Sequence, residues 1–353
     1  MYICRSLVDV QKDMIYIFTL VLLLLMLQLY FPFARKRNML AGVNHRSSHT
    51  KPVITGAGFI FFVSYVIYGV VLFYQSSDNF PWYFFIGLSM LSVVSFIDDL
   101  EEVWFLWRLL IQLVAMSLLL WQIQIDEPSL ALMPSVVQWS AIVMCWGFSV
   151  GLLNMYNFMD GLNGMLGGLV LSTLIPLYLI NEYVSPFVDS QLIYFTLIPT
   201  LLFLFYNARK QAICFSGDVG AIAVGYVMVY LLIKLMINTG NVAYLAIFSS
   251  VFIEAGLTIV QRLFAGENIF QPHRIHLFQL MCNEGKRNHV AVSALYAGVQ
   301  LFFGLLLFAL NYYGVSTWIQ NLIVWPLVAA LGIIYLLYKR KCLGGHLLGY
   351  RNK

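Results

Sequence analysis

Residues 14–33 read MIYIFTLVLLLLMLQLYFPF, and Arg35, Lys36 and Arg37 follow directly. Twenty residues without a charge make a helix of about 30 Å, the thickness of a bilayer's hydrocarbon core. The basic cluster behind the run is a stop-transfer pattern, so the segment reads as a membrane span and not as a removable signal peptide.

The same pattern recurs along the chain. Further apolar segments lie at 53–74, 80–97, 104–122, 135–153, 165–181, 190–206, 219–237, 242–261, 292–312 and 316–338, giving eleven in all. Composition agrees. Of 353 residues, 61% are hydrophobic and only 10% charged, against about 25% charged in a soluble domain. A mean hydropathy of +0.82 excludes an ordinary soluble enzyme. It also excludes an outer-membrane barrel, whose alternating strands keep hydropathy low. The expected architecture is all-α: one polytopic membrane domain over residues 1–353, with no tandem repeat or linker dividing it. The five cysteines, Cys4, Cys145, Cys214, Cys282 and Cys342, form no CxxC pair. Neither a disulfide framework nor a structural zinc site is indicated.

Eleven spans alternate the loops between two sides. Seventeen of the twenty basic residues then fall on one side; only Arg5, Lys12 and Lys234 fall on the other. The positive-inside rule makes the rich side cytoplasmic, with the N-terminus outside and the C-terminus inside. All the unusual polar chemistry lies on that side too, in the loops 35–52, 98–104, 154–164, 207–218 and 262–291.

Asp98-Asp99-Leu100-Glu101-Glu102 ends the third segment. Acids there face the negative end of the helix dipole and repel one another. Either a cation offsets them, or they form a solvated loop paired with Arg108. Asn154-Met155-Tyr156-Asn157-Phe158-Met159-Asp160-Gly161-Leu162-Asn163-Gly164 leaves the fifth. Its Asn154, Asn157 and Asp160 recur every three residues and share a helical face. Their oxygens are hard donors suited to Mg²⁺ or to nucleotide hydroxyls; a capped polar turn is the plainer alternative. Phe215-Ser216-Gly217-Asp218-Val219-Gly220 opens the eighth segment, where Asp218 is either an N-terminal cap or a ligand beside glycines that admit phosphate. The longest inward loop holds Pro272-His273-Arg274-Ile275-His276-Leu277-Phe278-Gln279. It suits an anionic phosphate or a sugar better than zinc, since no HExxH or paired cysteine is present; attraction to anionic lipid would also account for it. The first inward loop carries Arg46-Ser47-Ser48-His49-Thr50-Lys51-Pro52. Glu254 lies inside a span, which makes it a functional suspect; Lys51, Arg262 or a histidine could pair with it.

These motifs, in this order, resemble those of the polyprenyl-phosphate N-acetylhexosamine-1-phosphate transferases. These belong to the glycosyltransferase family 4 type, which includes an O-antigen-initiating branch and is related to the peptidoglycan lipid I translocase. The likeness runs from about Asn44 to Val290. Arg46–Pro52 resembles the family's first cytoplasmic loop. Asp98-Asp99 with Glu102 resembles its DDxxD motif. Asn154–Gly164 and Gly217–Gly220 resemble its NxxNxxDGxNG and GDxG signatures, and residues 272–279 its HRxHxxQ loop. Two positions depart: Glu254 stands where aspartate is usual, and the stretch after Asn207 is one residue longer.

The resemblance implies an enzyme that transfers substituted phosphate groups. It would move N-acetylhexosamine 1-phosphate from a UDP-sugar to undecaprenyl phosphate, releasing UMP, in the bacterial inner membrane. It implies Mg²⁺, with Mn²⁺ as a substitute, held by Asp218 and Asn157. Asp98, Asp99 and Asp218 become the catalytic group. Lys51, Asn154, Asp160, Phe215, His273, Arg274 and His276 become the substrate-binding set. The partners are the donor, the lipid acceptor and the bilayer; nucleic acid is not expected, and a homodimer is compatible. Two alternatives stand beside this reading: a transporter of an envelope precursor, for which Glu254 would be a proton relay, and the phospho-N-acetylmuramoyl-pentapeptide transferase.

Overall fold

The computed structural model describes residues 2–41, 52–132, 134–268 and 274–343. The fold is all-α. Among the described residues, ten helices are long and apolar enough to cross a membrane. They comprise α1 (Tyr2–Lys36, its apolar part Lys12–Lys36), α3 (Trp82–Leu100), α4 (Phe105–Asp126), α5 (Ser135–Met159) and α6 (Met165–Tyr183). They continue with α7 (Ser190–Asn207), α8 (Gly217–Thr239), a composite helix over Val242–Phe264, α12 (His289–Tyr312) and α13 (Thr317–Cys342).

Each of the eleven apolar segments read from the sequence corresponds to a helix, with one difference. The second segment, expected over 53–74, becomes helical only as α2 at Phe59–Gln75, too short to count with the ten. Its first residues leave the helical pattern because Val53–Ile54 form strand β2, paired antiparallel with β1 (Leu40–Ala41). Gly56 then turns the chain at φ +76°.

The composite helix changes type along its length. It runs as a 3₁₀ segment Val242–Phe248, one turn α9 (Ser249–Val251), a π-turn Phe252–Gly256 and then α10 (Leu257–Phe264). A short helix α11 (Leu277–Asn283) follows before α12.

The centre of the bundle is α8. It is apolar on all sides, and a helix of that kind is stable only when surrounded; here α2, α3, α5 and α6 surround it. Small residues allow the closest approach, as in other membrane bundles: Gly58, just before α2, lies backbone to backbone against Gly220 of α8. Large apolar side chains such as Leu29, Leu263 and Leu322 point outward, as a lipid-facing surface requires.

The end of the bundle away from the polar clusters is closed by paired side chains. Lys234, one of the three bases expected outside, sits 2.6 Å from Glu127. Asn241 donates to Gln320 at 2.6 Å. The four described cysteines are all free, as their scatter predicts.

Candidate active site

The acidic pair at the end of α3 finds its compensation in two places. Asp99 accepts the backbone N–H of Asp218 at 2.9 Å and of Val219 at 3.1 Å. It therefore sits on the positive end of the α8 dipole. Asp98 accepts the N–H of Val103 at 2.8 Å and pairs closely with the guanidinium of Arg108. The same Arg108 nitrogen lies 3.3 Å from Asp218. Arg108 thus answers the pairing read from the sequence and also bridges two of the acidic clusters. Glu101 and Glu102 are exposed and stand apart from this arrangement.

Asp218 does not cap its own helix. Ser216 is the N-cap residue and makes no capping bond with its side chain; the capping carboxylate is Asp99, from α3. Gly217 makes this possible. Its φ of +71° suits glycine, and a Cβ there would fall on the Asp99 carboxylate.

Asp160 closes α5 and joins the group from a third direction, accepting from the Ser216 hydroxyl at 2.5 Å. Its carboxyl is pushed up to about 7, mainly by lost hydration; the Asp218 and Asp99 charges add to this and the Ser216 hydrogen bond opposes it. Four carboxylates, Asp98, Asp99, Asp160 and Asp218, are thereby linked through Arg108, Ser216 and the start of α8.

The segment after the first inward loop is stitched to the same place. Phe215 donates its N–H to Ile54 at 2.7 Å and accepts from Ala57 at 3.1 Å; Gly58 donates to Ser216 at 2.8 Å. Phe215 itself is half-buried. Asn207 braces the back of the site: its Oδ1 accepts from Gly164 at 2.6 Å and its Nδ2 donates to Cys214 at 2.8 Å.

The histidine loop approaches from the other flank. His276 is buried and its Nδ1 lies 3.1 Å from Oε1 of Glu254. Its ring stacks on Phe278, with centroids 5.2 Å apart. Phe278 in turn covers Gly161, where an added Cβ would meet the ring at 3.0 Å. Of the partners considered for Glu254, the histidine is the one observed; Arg262 pairs instead with Glu267 at 2.9 Å.

Other expected members are less central. The Asn154 amide exchanges hydrogen bonds with Gln112, at 2.8 and 3.3 Å, and is turned toward α4. Asn157 is half-buried in the last turn of α5, where its carbonyl accepts from the Asp160 N–H at 3.2 Å. Arg274 is exposed. Lys51 and His273 lie outside the described residues. Ser216, which joins Asp160 to the α8 start, was not singled out by the sequence; a serine just before a glycine carries no signal of its own.

The donor set fits magnesium. It is all oxygen, and four carboxylates face one guanidinium, leaving the cluster negative. No closed cage of three His, Cys, Asp or Glu side chains exists among the described residues. Mg²⁺ typically takes one or two carboxylates and completes its shell with water and substrate phosphate. Asp218, with 30% of its side chain exposed, is the open member.

Residues 81–236, which contain all four carboxylates, match the family described as glycosyl transferase family 4. A phospho-N-acetylmuramoyl-pentapeptide-transferase of Fervidobacterium nodosum is 27% identical over 131 residues, 36% of this chain and 40% of that protein. A probable undecaprenyl-phosphate N-acetylglucosaminyl 1-phosphate transferase of Bacillus subtilis is 23% identical over 256 residues, 70% of each chain. The match thus spans well under half of the first relative's length. The resemblance carried by the acidic motifs is borne out by the match of residues 81–236 to glycosyl transferase family 4.

Proposed function

We propose that the protein transfers N-acetylhexosamine 1-phosphate from a UDP-sugar to undecaprenyl phosphate, as the first step in building O-antigen or a related envelope polysaccharide. The observation that carries this reading is the union of Asp98, Asp99, Asp160 and Asp218 around one arginine at one end of the bundle. The named activity of the Bacillus subtilis relative supports it.

In the reaction an oxygen of the lipid phosphate attacks the sugar-bearing phosphorus of the donor. The bond from that phosphorus to UMP breaks, and UMP leaves. Mg²⁺ on Asp218 and Asn157 would neutralise charge on the diphosphate. Asp98 and Asp99 orient the lipid phosphate or take its proton. Asp160 and Phe215 line the nucleotide side, together with Asn154. Lys51, His273, Arg274 and His276 meet donor phosphate or sugar. The excess of basic residues on the site's side supports a cytoplasmic site in a bacterial inner membrane.

The test is purified protein with undecaprenyl phosphate, Mg²⁺ and a panel of UDP-sugars: N-acetylglucosamine, N-acetylfucosamine, N-acetylquinovosamine and muramoyl pentapeptide. UMP release with a lipid-linked sugar from one of the first three is the expected result. Turnover of the muramoyl donor alone would assign the translocase reaction instead. Vesicle uptake without UMP release would favour a transporter.

A further inference from the structure

Among the described residues Glu254 is the most buried acid, with no exposed surface. It sits in the π-turn of the composite helix, a local widening that often accompanies a functional position. Four donors converge on it. Oε1 accepts from the backbone N–H of Leu277 at 2.8 Å and from the Tyr335 hydroxyl at 2.8 Å, and lies 3.1 Å from His276 Nδ1. Oε2 accepts from the Tyr296 hydroxyl. Both oxygens of the carboxylate are therefore engaged, Oε1 by three partners and Oε2 by one.

The positive charge that a buried carboxylate needs stands one step away. Lys339 of α13, itself buried, donates to Thr258 at 2.8 Å and to Tyr335 at 3.2 Å. Thr258 and Tyr335 are 3.1 Å apart. Neither tyrosine nor the lysine differs in type from ordinary span and positive-inside residues, so the sequence did not mark them.

What the network holds is the histidine loop. Two consecutive residues, His276 and Leu277, are fastened to one carboxylate. From His276 the contact continues through Phe278 to Gly161, next to Asp160. A hydrogen bond at one imidazole nitrogen sets which nitrogen carries the proton and where the other points.

We propose that Glu254 is a positioning residue for the sugar-nucleotide side of the site: it turns Nδ1 of His276 inward and holds the loop that carries Arg274 and His276 against the Asp160–Gly161 turn. This rests on the transferase reading above. Glu254 acts through His276 and the loop and does not touch substrate.

The test compares wild type with Glu254→Gln, which keeps shape and accepting oxygen but removes charge. The donor KM is expected to rise about tenfold, the worth of one charge-assisted hydrogen bond, with acceptor KM within about twofold. In a His276→Gln background the same change is expected to add little, because the two residues act as one unit. Equal rises in both KM values, no rise, or full additivity would overturn the proposal. A second readout needs no turnover: in nitrogen-labelled protein, His276 is expected to carry its proton on Nδ1 in wild type and to lose that preference in Glu254→Gln. An unchanged imidazole spectrum would also overturn it. Should Glu254→Gln fail to fold, Glu254→Gln with Lys339→Met removes both buried charges and is read by the same two measurements. If wild type releases no UMP, the transferase reading fails, while the imidazole spectrum still decides the positioning role.

Discussion

Asp99 and Asp218 meet as acceptor and donor, not as two repelling acids: the backbone N–H of Asp218 lies 2.9 Å from Oδ1 of Asp99. A helix that ends in an acid is thus docked on the start of another helix. The unfavourable dipole contact on α3 becomes a favourable one on α8.

That relationship predicts the effect of removing it. Asp99→Ala takes away both capping bonds and is expected to cost about 1–2 kcal/mol, as loss of an N-cap does. Asp99→Asn retains an oxygen acceptor and is expected to fall between. Thermal unfolding in detergent without Mg²⁺ reads this. A melt of Asp99→Ala indistinguishable from wild type would mean the cap contributes nothing.

Arg108 is the only cation seen between Asp98 and Asp218 among the described residues. It therefore occupies charge that a metal would otherwise meet. Arg108→Gln is expected to lower the Mg²⁺ concentration for half-maximal UMP release severalfold while reducing the maximal rate. A higher Mg²⁺ requirement would show that the guanidinium helps to build the metal site instead of competing with it.

Much of this was legible in the sequence because bilayer physics is demanding. A span must be long and apolar, so α1 and α3 through α8 declare themselves. Acidic groups at membrane ends stand out against such a background, so Asp98, Asp99, Asp160 and Asp218 did too. What stayed hidden depends on distant pairing. The N-terminal position of Asp218 suggested a self-cap, but a residue of α3 supplies it. Tyr296, Tyr335 and Lys339 look like span and flank residues until folding sets them around Glu254. Asn154 sits in the motif's helical repeat, yet Gln112 of α4 engages its amide.

Asp160 gives the fold a pH dependence of definite sign. Its carboxyl is pushed up to about 7, from about 4 in the unfolded chain. Between these values the folded protein holds a proton that the unfolded chain has released. Stability without metal is therefore expected to fall as pH rises from about 4 to about 7, then level off. A divalent cation beside the ionised cluster offsets that loss. The gain in melting temperature on adding Mg²⁺ is expected to be larger at pH 8 than at pH 5.5, and Asp160→Asn is expected to flatten the metal-free profile. Stability that rises through this window would contradict the raised carboxyl of Asp160.

Asn207 illustrates a structural role beside the chemistry. It ties Gly164 at the start of α6 to Cys214 in the loop before α8. Asn207→Ala leaves two backbone groups without partners, at about 1–3 kcal/mol each if both stay buried. Asn207→Asp keeps the acceptor but loses the donor and is expected to be no better. Loss of folded protein in size-exclusion profiles is the readout, with Mg²⁺ affinity of the surviving fraction unchanged.

The contact of Gly58 with Gly220 makes the sharpest steric prediction. A Cβ on Gly220 would stand 2.6 Å from the Gly58 Cα and 2.8 Å from the Ser216 Cβ. The nearest obstacle is backbone, which cannot rotate away as a flexible side chain could. Overpacking of this kind costs about 1–3 kcal/mol or more. Here it would also push Ser216 away from Asp160, separating α5 from the α8 start. Gly220→Ala is expected to lower both melting temperature and UMP release. Gly298→Ala on α12 is the control, since nothing lies within 4 Å of its added Cβ, and exchanging glycine for alanine inside a helix favours the helix. If the two variants melted alike, the backbone contact between α8 and the chain before α2 would not be the constraint that brings the acidic clusters together.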